Sequence, residues 1–297
     1  IPWLDSARKQ QWRYWQRYRE LQEKKLSWKA VDALDKSTDR ILSMLEDPMR
    51  PGMWDRRGLV VGHVQSGKTA NYTGLVCKAA DAQYKVIIVL AGLHNNLRSQ
   101  TQIRLDEGFL GYETNGATNV QRRIGVGLID TDQSINPNCA TTRANNGDFG
   151  GRAATQLAIS PEQRPWLFVV KKNKSVLVQL LKWIQNHVAD MPIASDDSFT
   201  AEKDQLPRVK KRVTKLPLLI IDDEADNASV DTGETVVDAD GNPDDEHQPT
   251  TINRLIRRIL HSFSRAAYVG YTATPFANIF IHERGTTKSE GPDLFPS

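Results

Sequence analysis

Cysteine is nearly absent from this chain. The two thiols in 297 residues, Cys77 and Cys139, stand far apart and at no metal or redox spacing. That excludes a cysteine-ligated zinc site and a disulfide scaffold, and it points to a reducing, cytoplasmic setting. Long apolar runs are missing too. The longest, 86–91 (VIIVLA) and 216–221 (LPLLII), have the length of strands, which excludes a membrane-spanning helix and a membrane partner. The opening residues, IPWLDSARKQ, lack the apolar core of a signal peptide, and the start at Ile1 rather than Met suggests a piece of a longer protein. A strong excess of one charge is also lacking. The net charge of +3 does not by itself require a nucleic-acid partner. The six histidines, His63, His94, His187, His247, His261 and His282, show no ligand pairing with carboxylates.

What is present is an ordinary globular composition. Hydrophobic residues at 39% and charged residues at 25% exclude disorder of the whole chain and allow a sizeable core in one large domain or two small ones. Charge is unevenly spread. Segment 208–215 (RVKKRVTK) has five basic residues in eight, and 231–246 has seven acidic residues and no basic one. The first is either a phosphate-holding patch or, like the second, a solvated loop. No internal repeat is visible.

Residues 1–50 read as an N-terminal helical segment. A helix is predicted over 6–24, with Trp12, Trp15, Tyr18 and Leu21 near helical spacing as a core face. Ser27 caps a second helix, about 28–46, which Asp47-Pro48 ends. From residue 51 to 297 short apolar runs alternate with helical stretches. Strands are predicted at 58–61, 85–91, 124–130, 166–170, 218–222 and 267–271. Helices are predicted from Lys68, over 96–106, over 174–187 and from Thr250 or Thr251 through His261. Residues 132–151 read as loop, 189–215 as an exposed polar and basic loop, and 231–249 as an acidic loop. This alternation argues for an α/β fold, a parallel sheet with helices on both faces.

Three motifs carry chemistry. The first is Gly62-His63-Val64-Gln65-Ser66-Gly67-Lys68-Thr69, a full G-x-x-x-x-G-K-[ST] followed by Ala70. Its glycines let backbone amides wrap phosphate oxygens, and the helix N-terminus favours anions. Lys68 is then the contact to the outer phosphates and Thr69 a ligand to Mg²⁺. The second is 218–226, LLIIDDEAD, an apolar strand that delivers carboxylates at its C-terminal end. Asp223 is assigned to Mg²⁺ and Glu224 to the attacking water, although the adjacent Asp222 leaves the register open by one. The third is Tyr271-Thr272-Ala273-Thr274, whose hydroxyls are placed to contact the second motif, with Asp226, Thr272 and Thr274 as a coupling group. Lys171 and Lys172, at the ligand end of a strand, read as ordinary loop lysines, with contact to nucleic acid or phosphate as the alternative, and Trp54 as packing under the sheet, with base stacking as the alternative.

In this order the motifs resemble those of superfamily-two helicases and translocases. There the first is the P-loop, the second the DEAD motif and the third S/T-A-T. By that resemblance 91–104 (AGLHNNLRSQTQIR) stands where nucleic-acid backbone is gripped, through Asn95, Arg98, Gln100 and Thr101. More narrowly, VGHVQSGKTANYTGL, LAGLHNNLRSQTQIRL, LLIIDDEADNAS and YVGYTATPFANIF resemble the Z-one domain family of bacterial defence and restriction-like systems. The resemblance covers about 58–280. It implies a RecA-like P-loop lobe that binds ATP and Mg²⁺, DNA more than RNA as partner, and effector domains elsewhere in the parent protein.

That family closes ATP between two RecA-like lobes, and the second supplies an arginine. After residue 274 only 23 residues remain, and Arg284 stands in a polar tail (HERGTTKSEG). The expectation is one lobe of an ATP hydrolase that binds ATP but hydrolyses it poorly alone. The alternative is a P-loop switch acting on a protein partner.

Overall fold

The computed structural model describes residues 3–62, 67–115, 122–150, 164–194, 206–227, 249–274 and 294. The acidic loop from 231, the turn 63–66 and Arg284 lie outside them.

The helix predicted over 6–24 is two helices, α1 (Ser6–Lys9) and α2 (Arg13–Glu23). The break comes from a distant cap. Backbone N–H groups of Arg13, Tyr14 and Trp15, the open first turn of α2, donate to the Asp81 carboxylate at 3.0, 3.0 and 2.8 Å. Trp12, Trp15 and Tyr18 are buried, so the aromatic stripe is core. In α3 (Trp28–Met44) Ser27 caps as expected, accepting from Ala30 N–H at 3.4 Å. Val31, Leu34, Thr38 and Leu42 form its buried face. This face lies on α4 (Lys68–Asp81), where fully buried Lys78 donates to Asp39 at 2.7 Å and stands 4.1 Å from the Trp15 ring centroid.

A six-stranded parallel sheet follows. Its strands are β1 (Trp54–Val61), β2 (Val86–Ala91), β3 (Asn138–Cys139), β4 (Trp166–Val170), β7 (Leu218–Asp223) and β8 (Arg265–Thr272), in the order β1-β8-β7-β2-β4-β3. Both faces are covered, which is why β2, β4 and β7 read as unbroken apolar runs. Their side chains alternate between two cores. Ile87, Val89, Leu167, Val169, Leu219 and Ile221 join α2, α3, α4 and α5 (Asn95–Leu105). Ile88, Leu90, Phe168, Val170, Leu218 and Ile220 join α6 (Lys174–Trp183) and α7 (Pro249–His261) on the other side. Each such side chain contributes about 1.5–3 kcal/mol relative to exposure. The last strand, β8, lies between β1 and β7. Val61 therefore pairs with Thr272, and Tyr271 with Asp223, so the C-terminal ends of three strands share one edge.

The segment 132–151 is not all loop, since it holds β3, the edge strand beside β4, and two further predicted elements are corrected. Residues 124–130 do not form a strand. They hold a 3₁₀ turn, Gly125–Leu128, pressed against the preceding chain so closely that a Cβ on Gly127 would lie 1.9 Å from the Gly111 carbonyl oxygen. Nor is 189–215 simply loop. β5 (Met191–Pro192) and β6 (Lys211–Arg212) pair antiparallel, and Val209 and Val213 are buried. Between Val209 and Val213, Lys210 and Lys211 are exposed and Arg212 is half-buried. Val213 also bridges Phe263, just before β8.

Candidate nucleotide and water site

The first motif sits where β1 hands over to α4. Gly62 N–H donates to the Thr272 carbonyl at 3.0 Å, tying the end of β1 to that of β8. Of the eight motif residues, His63, Val64, Gln65 and Ser66 lie outside the described residues. Gly67 is exposed in the left-handed conformation (φ 75°), and Lys68 opens a 14-residue helix directly after it. That conformation costs a side chain but not glycine, and it turns the open amides of the helix toward the end of the sheet. Lys68, Thr69 and Ala70 are half-buried there.

The register at the second motif follows from strand alternation. Asp222 points to the α6–α7 face and is fully buried. Tyr268 Oη donates to its Oδ2 at 2.5 Å, and Lys172 Nζ stands 2.8 Å from its Oδ1. Asp223 points to the α4 face. With Thr69, Tyr72, Leu97, Gln100 and Glu224 it lines a cleft of about 250 Å³. Its carboxyl is held above the usual range, first by burial and then by repulsion from Glu224, with Lys68 and Lys172 opposing. Glu224 takes a left-handed backbone (φ 57°), a strained position for a side-chain-bearing residue and of a kind that clusters at functional sites.

The third motif meets the second as expected. Thr272 Oγ1 donates to Asp226 Oδ1 at 2.7 Å, and Thr274 Oγ1 donates to Asp226 Oδ2. Burial pulls the Asp226 carboxyl upward, but these two hydroxyls hold it below its ordinary range.

The four residues assigned to a nucleic-acid backbone are not brought to one surface. Arg98 is fully buried and donates to the carbonyls of Thr142 (2.9 Å) and Ala144. It ties α5 to the 140–144 turn and presents no free guanidinium. Thr101 is buried as well. Gln100 lines the cleft beside Asp223, and Asn95 accepts from Lys171 Nζ at 3.1 Å. The basic 208–215 run is also elsewhere. It leads through Leu216 into the start of β7, at the end of the sheet opposite Asp223. Trp54 begins β1 at that opposite end and is buried edge-on against Tyr84, ring centroids 6.0 Å apart, so it packs and stacks on no ligand.

Lys172 is no surface loop lysine. It is fully buried, and Nζ donates to the carbonyls of Glu224 (2.6 Å) and Asn227 (2.8 Å) as well as facing Asp222. The only sequence signal was its place at the C-terminal end of a buried strand. A second cleft, about 330 Å³, adjoins the first at Thr69 and Arg104 and runs beneath α2 past Tyr18, Gln22 and Lys25. Among the described residues no group of three or more His, Cys, Asp or Glu is placed to hold a metal ion. No described helix is long and apolar enough to cross a membrane. No protein-family model matches the chain, and no curated protein matches it either.

Proposed function

We propose that this chain is the ATP-binding lobe of a nucleic-acid-dependent ATPase of the superfamily-two helicase or translocase type. One observation carries the reading. At the C-terminal edge of a single parallel sheet, the α4 N-terminus entered through Gly67, the Asp223–Glu224 carboxylates and the Thr272–Thr274–Asp226 hydrogen bonds stand together. Ligands of open α/β sheets bind at that edge. The strand order, with β8 inserted between β1 and β7, is consistent with a RecA-like lobe.

The residues present fit a nucleoside triphosphate with Mg²⁺. Thr69 and Asp223 line one cleft, and Mg²⁺ takes only one or two protein oxygens while keeping its waters. The bound nucleotide supplies the phosphoanhydride and the divalent cation the charge neutralisation. Lys68 binds phosphate oxygens, and Thr69 and Asp223 hold the cation. Glu224 orients a water and accepts its proton. Asp226, through Thr272 and Thr274, ties the acid turn to the end of β8, so a shift of one moves the other. The resemblance to the Z-one domain family adds the setting: DNA as track, a second lobe and effector domains in the parent protein, and bacterial defence in the cytoplasm.

The test is equilibrium binding of ATP with Mg²⁺ to this chain, together with ATPase activity of the parent protein with and without single- and double-stranded DNA and RNA. Lys68→Ala is expected to lose binding. Glu224→Gln is expected to keep binding and lose turnover. Binding by Lys68→Ala equal to that of the unaltered chain would sink the reading. The burial of Arg98 and Thr101, and the distance of the basic run, favour a second reading, a nucleotide switch acting on a protein partner. Turnover indifferent to every nucleic acid would select it.

A further inference from the structure

We infer that Arg104 is a binding residue for the terminal phosphate of the nucleotide, an arginine supplied within this lobe. The inference rests on the nucleotide reading above and deepens it.

The argument begins with the face of α5. Leu97, Gln100, Thr101 and Arg104 recur at three- and four-residue spacing, and all four line the cleft that holds Asp223 and Glu224. Arg104 is the cation of that stripe, and it also lines the adjoining cleft beside Thr69, Gly67 and Ala70. It thus stands at the junction of the acid site and the α4 N-terminus. Its side chain is exposed, and among the described residues it forms no hydrogen bond or ion pair, although two carboxylates share its cleft. Arg98, on the same helix, is the contrast, because its guanidinium is buried on backbone carbonyls. Of the two arginines, only Arg104 is available to a ligand.

The chemistry selects an anion with several oxygens. Arginine presents a planar fork of donors that matches phosphate, and it stays charged at any working pH. Lys68, which opens α4, is one positive charge at that helix N-terminus, and a triphosphate carries one phosphate more than a diphosphate. A second cation, Arg104 at the junction of the two clefts, therefore discriminates the terminal group.

The experiment is titration of the full chain with ATP and with ADP, each with Mg²⁺, for the unaltered protein, Arg104→Ala, Arg104→Lys and Lys68→Ala, with thermal unfolding of each. Arg104→Ala is expected to weaken ATP about tenfold and ADP less than about twofold, with Arg104→Lys between, as for loss of one charged hydrogen-bonding partner. Its unfolding temperature should stay unchanged, since the side chain supports nothing else. Unaltered ATP affinity in Arg104→Ala, or an equal loss for ATP and ADP, overturns the inference while Lys68→Ala still upholds nucleotide binding. Affinity of Lys68→Ala equal to that of the unaltered chain overturns the nucleotide reading and this inference with it.

Discussion

Lys172 and Asp222 form an ion pair of 2.8 Å in which both side chains are wholly buried. The same ammonium donates to the carbonyls of Glu224 and Asn227, so it fastens the turn that follows β7 to the strand itself. A buried charge that loses its partner is costly, whereas a pair replaced together is not. Lys172→Met is expected to destabilise the fold by about 3–5 kcal/mol in urea unfolding. The double variant Lys172→Met/Asp222→Leu should lose less than the single one, by at least about 1 kcal/mol, because no carboxylate is then stranded. Equal losses would show that the pair is not coupled.

Arg98 and Gln100 stand on one helix, the first packed on backbone carbonyls and the second lining the cleft. Arg98→Ala removes a guanidinium that holds the carbonyls of Thr142 and Ala144. It should lower stability by about 2–4 kcal/mol. Gln100→Ala trims a side chain in the cleft and should shift stability by no more than about 0.5 kcal/mol. Urea midpoints of the two variants check this. Similar midpoints would contradict the structural role given to Arg98.

Asp81 makes folding stability depend on pH. Burial pushes its carboxyl up to about 7, against the pull of the Trp15, Tyr14 and Arg13 amides. In the unfolded chain it titrates near 3.9. The folded protein thus holds this proton more tightly, so the stabilisation is full below about pH 3.9 and is lost as pH rises through about 7, by up to ~4 kcal/mol. Asp81→Asn should lack this part of the slope between about pH 5 and pH 8 in urea unfolding. The same slope in both proteins would assign it to other groups.

The legible parts of the sequence were those dictated by local pattern. β2, β4 and β7 announce themselves because both faces are covered, and Gly67-Lys68-Thr69 because only glycine suits the turn before α4. The meeting of Asp226 with Thr272 and Thr274 followed from the order of the motifs along the chain. The rest depends on partners remote in sequence. Asp222 and Asp223 are chemically alike, and only the face that carries α4 distinguishes them. A lysine such as Lys172 looks like a surface residue until three acceptors surround it. The break before α2 comes from Asp81, some 70 residues away. In 124–130 the apolar residues suggest a strand, but Gly125 and Gly127 serve a close backbone approach instead.

The place of β8 has a consequence for how the molecule assembles. Among the described residues β1 pairs on one side only, with β8, and Trp54 meets Arg265 across a separation of roughly 200 residues. Closing so long a loop is slow, and until it closes the strand that leads into Gly62 has no neighbour in the sheet. Its partner β8 also carries Thr272 to Asp226. Completion of the sheet and assembly of the candidate site are therefore expected to coincide late in refolding. A partly folded chain then has the acid turn without the Thr272 and Thr274 hydroxyls that hold Asp226.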